Sequence, residues 1–247
     1  MRIALLTDIH ANREALAACL AHAERAQPAR YAFLGDLIGY GADPGWVVDT
    51  VMSHAERGAI CVLGNHDEAL FKPLRATMHP DARTAIEWTH TQLNSTQLGF
   101  LSALPLKIED DDRLYVHANA WAPGRWEYIT NAFDARSSMA ATGARFTFCG
   151  HMHEPALYNM GRDWRALAFK PVAGTAIPLG TQRRWLAIPG AVGQPRDGIL
   201  AACYALFDTD RGSMTFFRVP YDIETAAAKV RAAGLPEILA LRLEQAR

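Results

Sequence analysis

The chain has 247 residues, 50% of them hydrophobic and 21% charged, enough to bury the core of a globular domain of ordinary type. Its 25 lysines and arginines nearly balance 26 aspartates and glutamates, for a formal net charge of -1. With no run of like charge, a general basic nucleic-acid surface is excluded, and any anion site must be local. Asp8 and His10 interrupt the apolar start before the core of a signal peptide is complete, so export is not expected. No apolar stretch approaches the ~20 residues that span a bilayer, so no membrane partner is expected. Cys19, Cys61, Cys149 and Cys203 form no Cys-x-x-Cys pair and sit in apolar segments, which points to reduced core thiols and a cytoplasmic location.

Ile3 to Leu6 is a short apolar run ending at Thr7-Asp8, the pattern of a strand covered on both faces whose carboxyl end opens onto a site. Arg13 to Ala26 places Leu16, Cys19, Leu20 and Ala23 at helical spacing behind Asn12 as N-cap. Tyr31 to Leu34 predicts a second strand, running into Gly35-Asp36 and a glycine-rich loop, Gly39 to Gly45. A helix over about Trp46 to Ala55 leads to a strand over Ala59 to Leu63, which ends in Gly64-Asn65-His66-Asp67. Strands alternating with helices predict a parallel α/β sheet. Residues 68–104 are mostly helical in pattern, punctuated by Pro73 and Pro80, and are expected to form a small cap over the strand ends. Leu106 to Glu109 and Arg113 to His117 read as a hairpin, and a helix over Phe133 to Ala141 precedes a strand over Arg145 to Cys149. Runs at Ala156 to Met160, Trp185 to Ile188, Ile199 to Asp208 and Ser213 to Val219 predict a more antiparallel sheet, with a tight turn over Thr209 to Gly212. Two helices separated by Gly234-Leu235-Pro236 close the chain. The simplest architecture is a single domain over 1–247, with two sheets face to face and helices outside.

Metal-ligand residue types follow the predicted strands: Asp8-x-His10, Gly35-Asp36, Gly64-Asn65-His66-Asp67, His117 and Gly150-His151-x-His153. Alone, each reads equally as a polar turn. Open α/β sheets bind ligands beyond the carboxyl ends of their strands, so together these segments can converge on one site.

In these five blocks (DxH, GDx, GNH[DE], a lone H, GHxH) the sequence resembles the calcineurin-like metallophosphoesterase superfamily. The similarity is greatest to its small bacterial phosphoesterases, through Asp8-Ile9-His10-Ala11-Asn12 and the late stretch Pro189 to Gly198. The resemblance implies an α/β fold of four layers, an α/β/β/α sandwich of two mixed sheets flanked by helices. It places Asp8, His10, Asp36 and His153 on one metal and Asp36, Asn65, His117 and His151 on a second. Sharing Asp36 is chemically sensible, because a carboxylate has two oxygens and a charge that reduces repulsion between two cations. Two dications less two carboxylates and a bridging hydroxide leave the centre at about +1, attractive to a phosphate. The implied reaction is hydrolysis of a small phosphomonoester or phosphodiester by hydroxide bridging the metals, with His66 as general acid toward the leaving group. Imidazole, carboxylate and amide together favour two ions of Mn, Fe, Zn or Ni over Mg or Ca. Rival readings are a nuclease or nucleotide pyrophosphatase, and a catalytically idle interaction scaffold.

The sequence departs from the protein Ser/Thr phosphatases of the superfamily, whose GDxxDRG block supplies an aspartate that orients the catalytic histidine and an arginine that grips phosphate. Here the block reads Gly35-Asp36-Leu37-Ile38-Gly39-Tyr40-Gly41, so Asp67 or another group has to orient His66. Asn12, Tyr40 and Arg196 are candidate substrate anchors, with an N-cap, loop packing and a surface ion pair as their respective alternatives. Trp121, Trp126 and Tyr128 are expected in the core rather than on a substrate, and His22, His54, His79 and His90 on the surface.

Overall fold

The computed structural model describes residues 1–76 and 78–247. Strands β1 (Arg2–Leu6), β2 (Arg30–Phe33) and β3 (Ile60–Cys61) alternate with helices α1 (Arg13–Glu24) and α2 (Pro44–Glu56). Helices α3 (Asn65–Glu68), α4 (Pro80–Gln92) and α5 (Ser95–Ser102) follow. After them come β4 (Lys107–Asp110), β5 (Arg113–Val116), α6 (Ala132–Ala140), β6 (Phe146–Phe148), β7 (Ala156–Met160), β8 (Ala166–Phe169), β9 (Ala176–Pro178) and β10 (Arg184–Ile188). The hairpin β11 (Ala202–Asp208) and β12 (Ser213–Val219) precedes α7 (Ile223–Ala232) and α8 (Glu237–Gln245).

The strands form two mixed sheets of six, ordered β3-β2-β1-β11-β12-β9 and β4-β5-β6-β10-β7-β8. In the first, β1, β2 and β3 are parallel and β11 returns antiparallel to β1, pairing Ile3 with Phe207. The late hairpin therefore extends the first sheet instead of forming a separate antiparallel one. In the second, β10 runs parallel to β6 and antiparallel to β7.

Side-chain alternation builds the layers. Ile3 and Leu5 point between the sheets with Ala32, Leu34, Tyr115, Phe148 and Phe207, while Ala4 and Leu6 point outward onto α1 and α2 with Phe33, Leu16 and Val48. Beyond the second sheet, Leu114, Val116 and Leu186 pack on Ala135 and Met139 of α6. The result is the α/β/β/α sandwich. A fourth apolar cluster joins α7 and α8 to Ala85 of α4, and Lys229 of α7 ties this hairpin down by bridging Glu14 at 2.5 Å and Asp43 at 2.8 Å.

Several expectations change. Residues 68–104 divide: residues of 68–75 and 78–82 border a cleft, whereas α5 and the later turns of α4 join the outer helical layer, with Ile86, Leu93 and Leu101 buried in its core. Strands β8 and β9 lie in a stretch with no predicted element. The side chains of β8 are mostly exposed without inside-outside alternation and β9 is only three residues long, so pairing with β7 and β12 decides them. His22 and His54 are half-buried instead of exposed: His22 Nδ1 lies 2.8 Å from the Tyr204 hydroxyl, and the His54 ring packs on Tyr31. All four cysteines are buried and unpaired. Among the described residues no helix is long and apolar enough to cross a membrane.

Phe148 is fully enclosed between the sheets against Tyr115 and Phe207. Phe148→Ala is expected to lower unfolding free energy by about 3–5 kcal/mol in urea titration.

Candidate metal centre and cleft

The ligand-type residues meet because the loops at one edge of the two sheets interlock. The Asp36 carbonyl accepts from Ile9 N–H and His10 N–H at 2.9 and 3.0 Å, and Asp8 N–H donates to the Gly35 carbonyl. The Thr7 and Asp8 carbonyls accept from Val192 and Gly193, which brings in the loop after β10. The loop after β6 closes the ring of segments, His151 N–H donating to Asp8 Oδ2 at 3.0 Å. Two glycines allow this approach: a Cβ on Gly64 would overlap the Asp36 carboxylate, and one on Gly150 would overlap the Thr7 hydroxyl.

Two buried donor sets result, and Asp36 belongs to both. One ligand atom from each of Asp8, His10, Asp36 and His153 lies within 4.8 Å of the others, and the same holds for Asp36, His117 and His151. Asn65 joins the second set, its Oδ1 lying 3.1 Å from His117 Nε2. The Asp36 carboxylate divides its work, Oδ1 accepting from His66 N–H at 2.8 Å and Oδ2 facing His117 Nε2 at 3.3 Å and His10 Nε2 at 3.7 Å.

The donor chemistry fits cations. His10 Nδ1 donates to the Ile38 carbonyl, His153 Nδ1 to the Gln194 carbonyl and His117 Nδ1 to the Leu34 carbonyl. A carbonyl can only accept, so each bond assigns the proton to Nδ1 and turns Nε2 inward. His151 uses Nε2 on the Trp126 carbonyl, leaving Nδ1 for the centre. Burial holds His10 and His153 well below the usual histidine range, yet their Nε2 atoms stand 3.1 Å apart. Two neutral imidazoles with both Nδ1 positions protonated present lone pairs to each other there; a cation between them turns that repulsion into coordination.

Without a cation, the charge sits elsewhere. Burial opposes protonation of His117, but the Asp36 carboxylate outweighs it and raises the imidazole to about 9. Burial also opposes ionisation of Asp36, but His117, His66 and His10 hold that carboxylate well below its ordinary range. Burial pushes Asp8 up to about 7, aided by Asp36, and His151 down to about 3, aided by His117.

The centre opens into a cleft of about 400 Å³, of a size to enclose a small molecule. His66 lines it, with Nδ1 buried and unpartnered. Its ring lies 4.4 Å from Tyr40 and 4.9 Å from His10, and burial, with Arg196 next to it, lowers its proton affinity. Asp67 does not orient this ring. Its two oxygens accept from Leu37, Ile38 and Gly64 N–H groups, stapling the loop after β2, so packing against His10 and Tyr40 holds His66 instead.

The three candidate anchors separate. Tyr40 and Arg196 line the cleft, with the Arg196 guanidinium 5.8 Å from the Tyr40 ring and held by Gln194 Oε1 at 2.9 Å. Asn12 is buried behind the cleft wall, capping α1 through Ala15 N–H and donating to the Gly193 carbonyl. Of the aromatic residues after His117, Trp126 is buried and Trp121 packs against the second sheet's outer core as expected, and Tyr128 corrects the expectation. Tyr128 is 49% exposed and stacks on His151 at 4.0 Å, Trp126 lines the cleft and donates its indole N–H to Glu68, and Trp121 is half-buried against Glu127. Sequence spacing missed Arg242, a cleft residue from α8; a lone arginine on a terminal helix gives no local signal.

The calcineurin-like phosphoesterase superfamily domain matches residues 1–212. The chain belongs to this superfamily. An uncharacterized protein of Methanocaldococcus jannaschii is 33% identical over 246 residues, spanning 98% of this chain and 96% of its own length. A solved structure of a metallophosphoesterase from Sphaerobacter thermophilus is 38% identical, with a TM-score of 0.88 over 100% of this chain and 99% of that one. A hypothetical protein from Pyrococcus horikoshii OT3, 17% identical, shares the fold with a TM-score of 0.80 over 100% and 98% of the two chains. The superfamily match ends before α7, whereas these three relatives are covered over nearly their whole length, so their likeness takes in the C-terminal helical hairpin.

Cation binding must displace the His117 proton. Because that pKa is raised to about 9, affinity is expected to fall as pH drops below about 9, by about tenfold per unit for one displaced proton. Calorimetry with Mn or Zn in buffers of different ionisation enthalpy should show proton release near pH 7. Equal affinity at about pH 6 and 8 would contradict it.

Proposed function

We propose that the chain is a dinuclear metal-dependent phosphoesterase, hydrolysing a phosphomonoester or phosphodiester with His66 as proton donor to the leaving oxygen. The observation that carries this reading is the sharing of Asp36 between two buried donor sets at the floor of a cleft rimmed by cationic side chains. The nitrogen and oxygen donors suit Mn, Fe, Zn or Ni. When bound, two such ions supply Lewis-acid polarisation of a phosphoryl oxygen and lower the pKa of water.

The chain's own residues do the rest. Arg196, beside His10, His66 and His153, presents a guanidinium to an anionic substrate at the edge of the centre. Trp126 and Tyr128 wall the cleft beside His151 and limit water. His66 reaches the cleft through Nε2, since Nδ1 is buried. In the free cleft, burial and Arg196 disfavour its charged form. An incoming phosphate brings negative charge to the ring and reverses that sign, so His66 gains a proton as substrate binds and returns it to the departing alkoxide.

A panel of p-nitrophenyl phosphate, bis-p-nitrophenyl phosphate, dinucleoside polyphosphates and single-stranded DNA, run after reconstitution with each metal, tests the reading. Hydrolysis of the small esters supports it; preference for the polyphosphates or DNA favours a nucleotide pyrophosphatase or nuclease. Metal-replete protein that hydrolyses none yet retains a partner in pull-downs favours a scaffold.

Two variants separate the roles. Asp36→Asn is expected to lose metal from both positions by elemental analysis. His66→Ala should keep its metals and slow alkyl esters by about 10²–10⁴, with a smaller loss on p-nitrophenyl esters. A uniform loss across leaving groups would sink the assignment of His66.

A further inference from the structure

The cleft departs from the balanced charge of the chain. Lys72, Arg75, Arg125, Arg196 and Arg242 line it, against Glu68 as the one carboxylate among the described lining residues. Glu68 is itself engaged, with Lys72 at 2.5 Å, Arg75 at 3.4 Å and the Trp126 indole N–H at 2.9 Å.

Arg196 and Arg242 have no carboxylate within ion-pair distance among the described residues, and the reason is visible in their surroundings. Asp197, next to Arg196 in sequence, pairs with Arg218. On α8, Glu237 and Glu244 both pair with Arg231 of α7, at 2.7 and 2.6 Å. The acids that could have neutralised the two guanidiniums are thus committed elsewhere, leaving both cations half-buried and free to bind an anion. Both also face the same ring: Arg196 Cζ lies 5.8 Å and Arg242 Cζ 6.0 Å from the Tyr40 centroid. That ring touches His66 at 4.4 Å, which places the pair at the end of the cleft where the leaving group departs. Gln194, 1% exposed, aims Arg196 through its Oε1 while its Nε2 stays buried without a partner.

We propose that Arg242, with Arg196 and Tyr40, forms a phosphate subsite for the leaving group, so that the preferred substrate is a phosphoester carrying a second phosphate on the portion that departs. Arg242 is a specificity-determining residue, and it belongs to the helical hairpin beyond the superfamily match. Lys229, through Glu14 and Asp43, fastens that hairpin to the α1 start and the loop entering α2, which fixes α8 over the cleft. Two guanidiniums suit a phosphate dianion better than a carboxylate. The inference rests on His66 as the proton donor of the proposed reaction.

The test compares phenyl phosphate, 4-carboxyphenyl phosphate and 1,4-phenylene bisphosphate as substrates of the metal-loaded full chain, together with calorimetric binding of 1,4-phenylene bisphosphonate. Wild-type protein should show the highest kcat/KM on the bisphosphate. Arg242→Gln should lower the bisphosphate-to-phenyl ratio of kcat/KM about tenfold and weaken bisphosphonate binding by a similar factor; Arg242→Lys, which keeps the charge and guards against a folding artefact, should retain most of both. An unchanged ratio and unchanged bisphosphonate affinity in Arg242→Gln overturns the subsite, and higher kcat/KM for the carboxyphenyl ester overturns its assignment to phosphate. If no ester is hydrolysed, the enzymatic reading fails on its own, and bisphosphonate affinity in wild type against Arg242→Gln still decides the subsite.

Discussion

One carboxylate organises the functional edge of this sandwich. Asp36 accepts from the His66 amide with one oxygen and faces His117 and His10 with the other, while its own carbonyl accepts from Ile9 and His10. It thereby fixes the ends of the first two strands, the start of α3 and a histidine of the second sheet relative to one another. Two positive centres beside a single negative group are electrostatically tolerable; the same two without it would repel across a few ångströms of low-dielectric interior. The placement of His66 follows from the same residue, because the amide that Asp36 holds is that of His66.

Holding these groups together carries a cost in backbone strain. Five of the seven candidate ligands, Asp8, His10, Asp36, His151 and His153, have positive φ, as do Tyr40 and Trp126. Left-handed residues other than glycine cost of order 1–3 kcal/mol each and persist only where the surroundings over-determine them. Here the surroundings are two six-stranded sheets with a packed apolar interior, and Asp67, whose oxygens accept three backbone N–H groups at the base of the site. The aspartate that resembles a catalytic partner for His66 is instead spent on holding the strained loop. Histidine orientation is left to ring packing, which needs no second carboxylate near a centre whose charge is already finely divided.

How much of this was legible in sequence depends on the range of the determining interaction. The ligand blocks were readable because each sits at the end of an apolar strand, where a local pattern of strand and then polar turn declares the position; the parallel part of the first sheet was readable from the apolar runs at Ile3 to Leu6 and Tyr31 to Leu34 alternating with helices, and the four layers from the family resemblance. What escaped depends on contacts distant in sequence. Strand β8 has no inside-outside alternation and β9 is only three residues long, so both exist through their neighbours. Tyr128 reads as a core aromatic until His151 is seen beneath it, and Asp67 reads as an orienting group until the backbone of Leu37 and Ile38 takes its oxygens. His22 and His54 look like helix-surface residues, but their rings pack on Tyr204 and Tyr31.

Charge distribution links the fold to selectivity in a way that composition conceals. A net charge of -1 suggests a neutral surface, yet the ion pairs are arranged so that the cleft keeps an excess of cations. The pairings that would neutralise Arg196 and Arg242 are pre-empted: Asp197 by Arg218, Glu237 and Glu244 by Arg231. The centre and the rim consequently act at different ranges. Buried nitrogen and oxygen donors at the floor are suited to cations, and half-exposed guanidiniums at the mouth act on an approaching anion, where solvent screens them only in part. Arg242, one of these guanidiniums, belongs to the terminal hairpin, so the segment farthest in sequence from Asp8 contributes a cation to the cleft beside the donor sets.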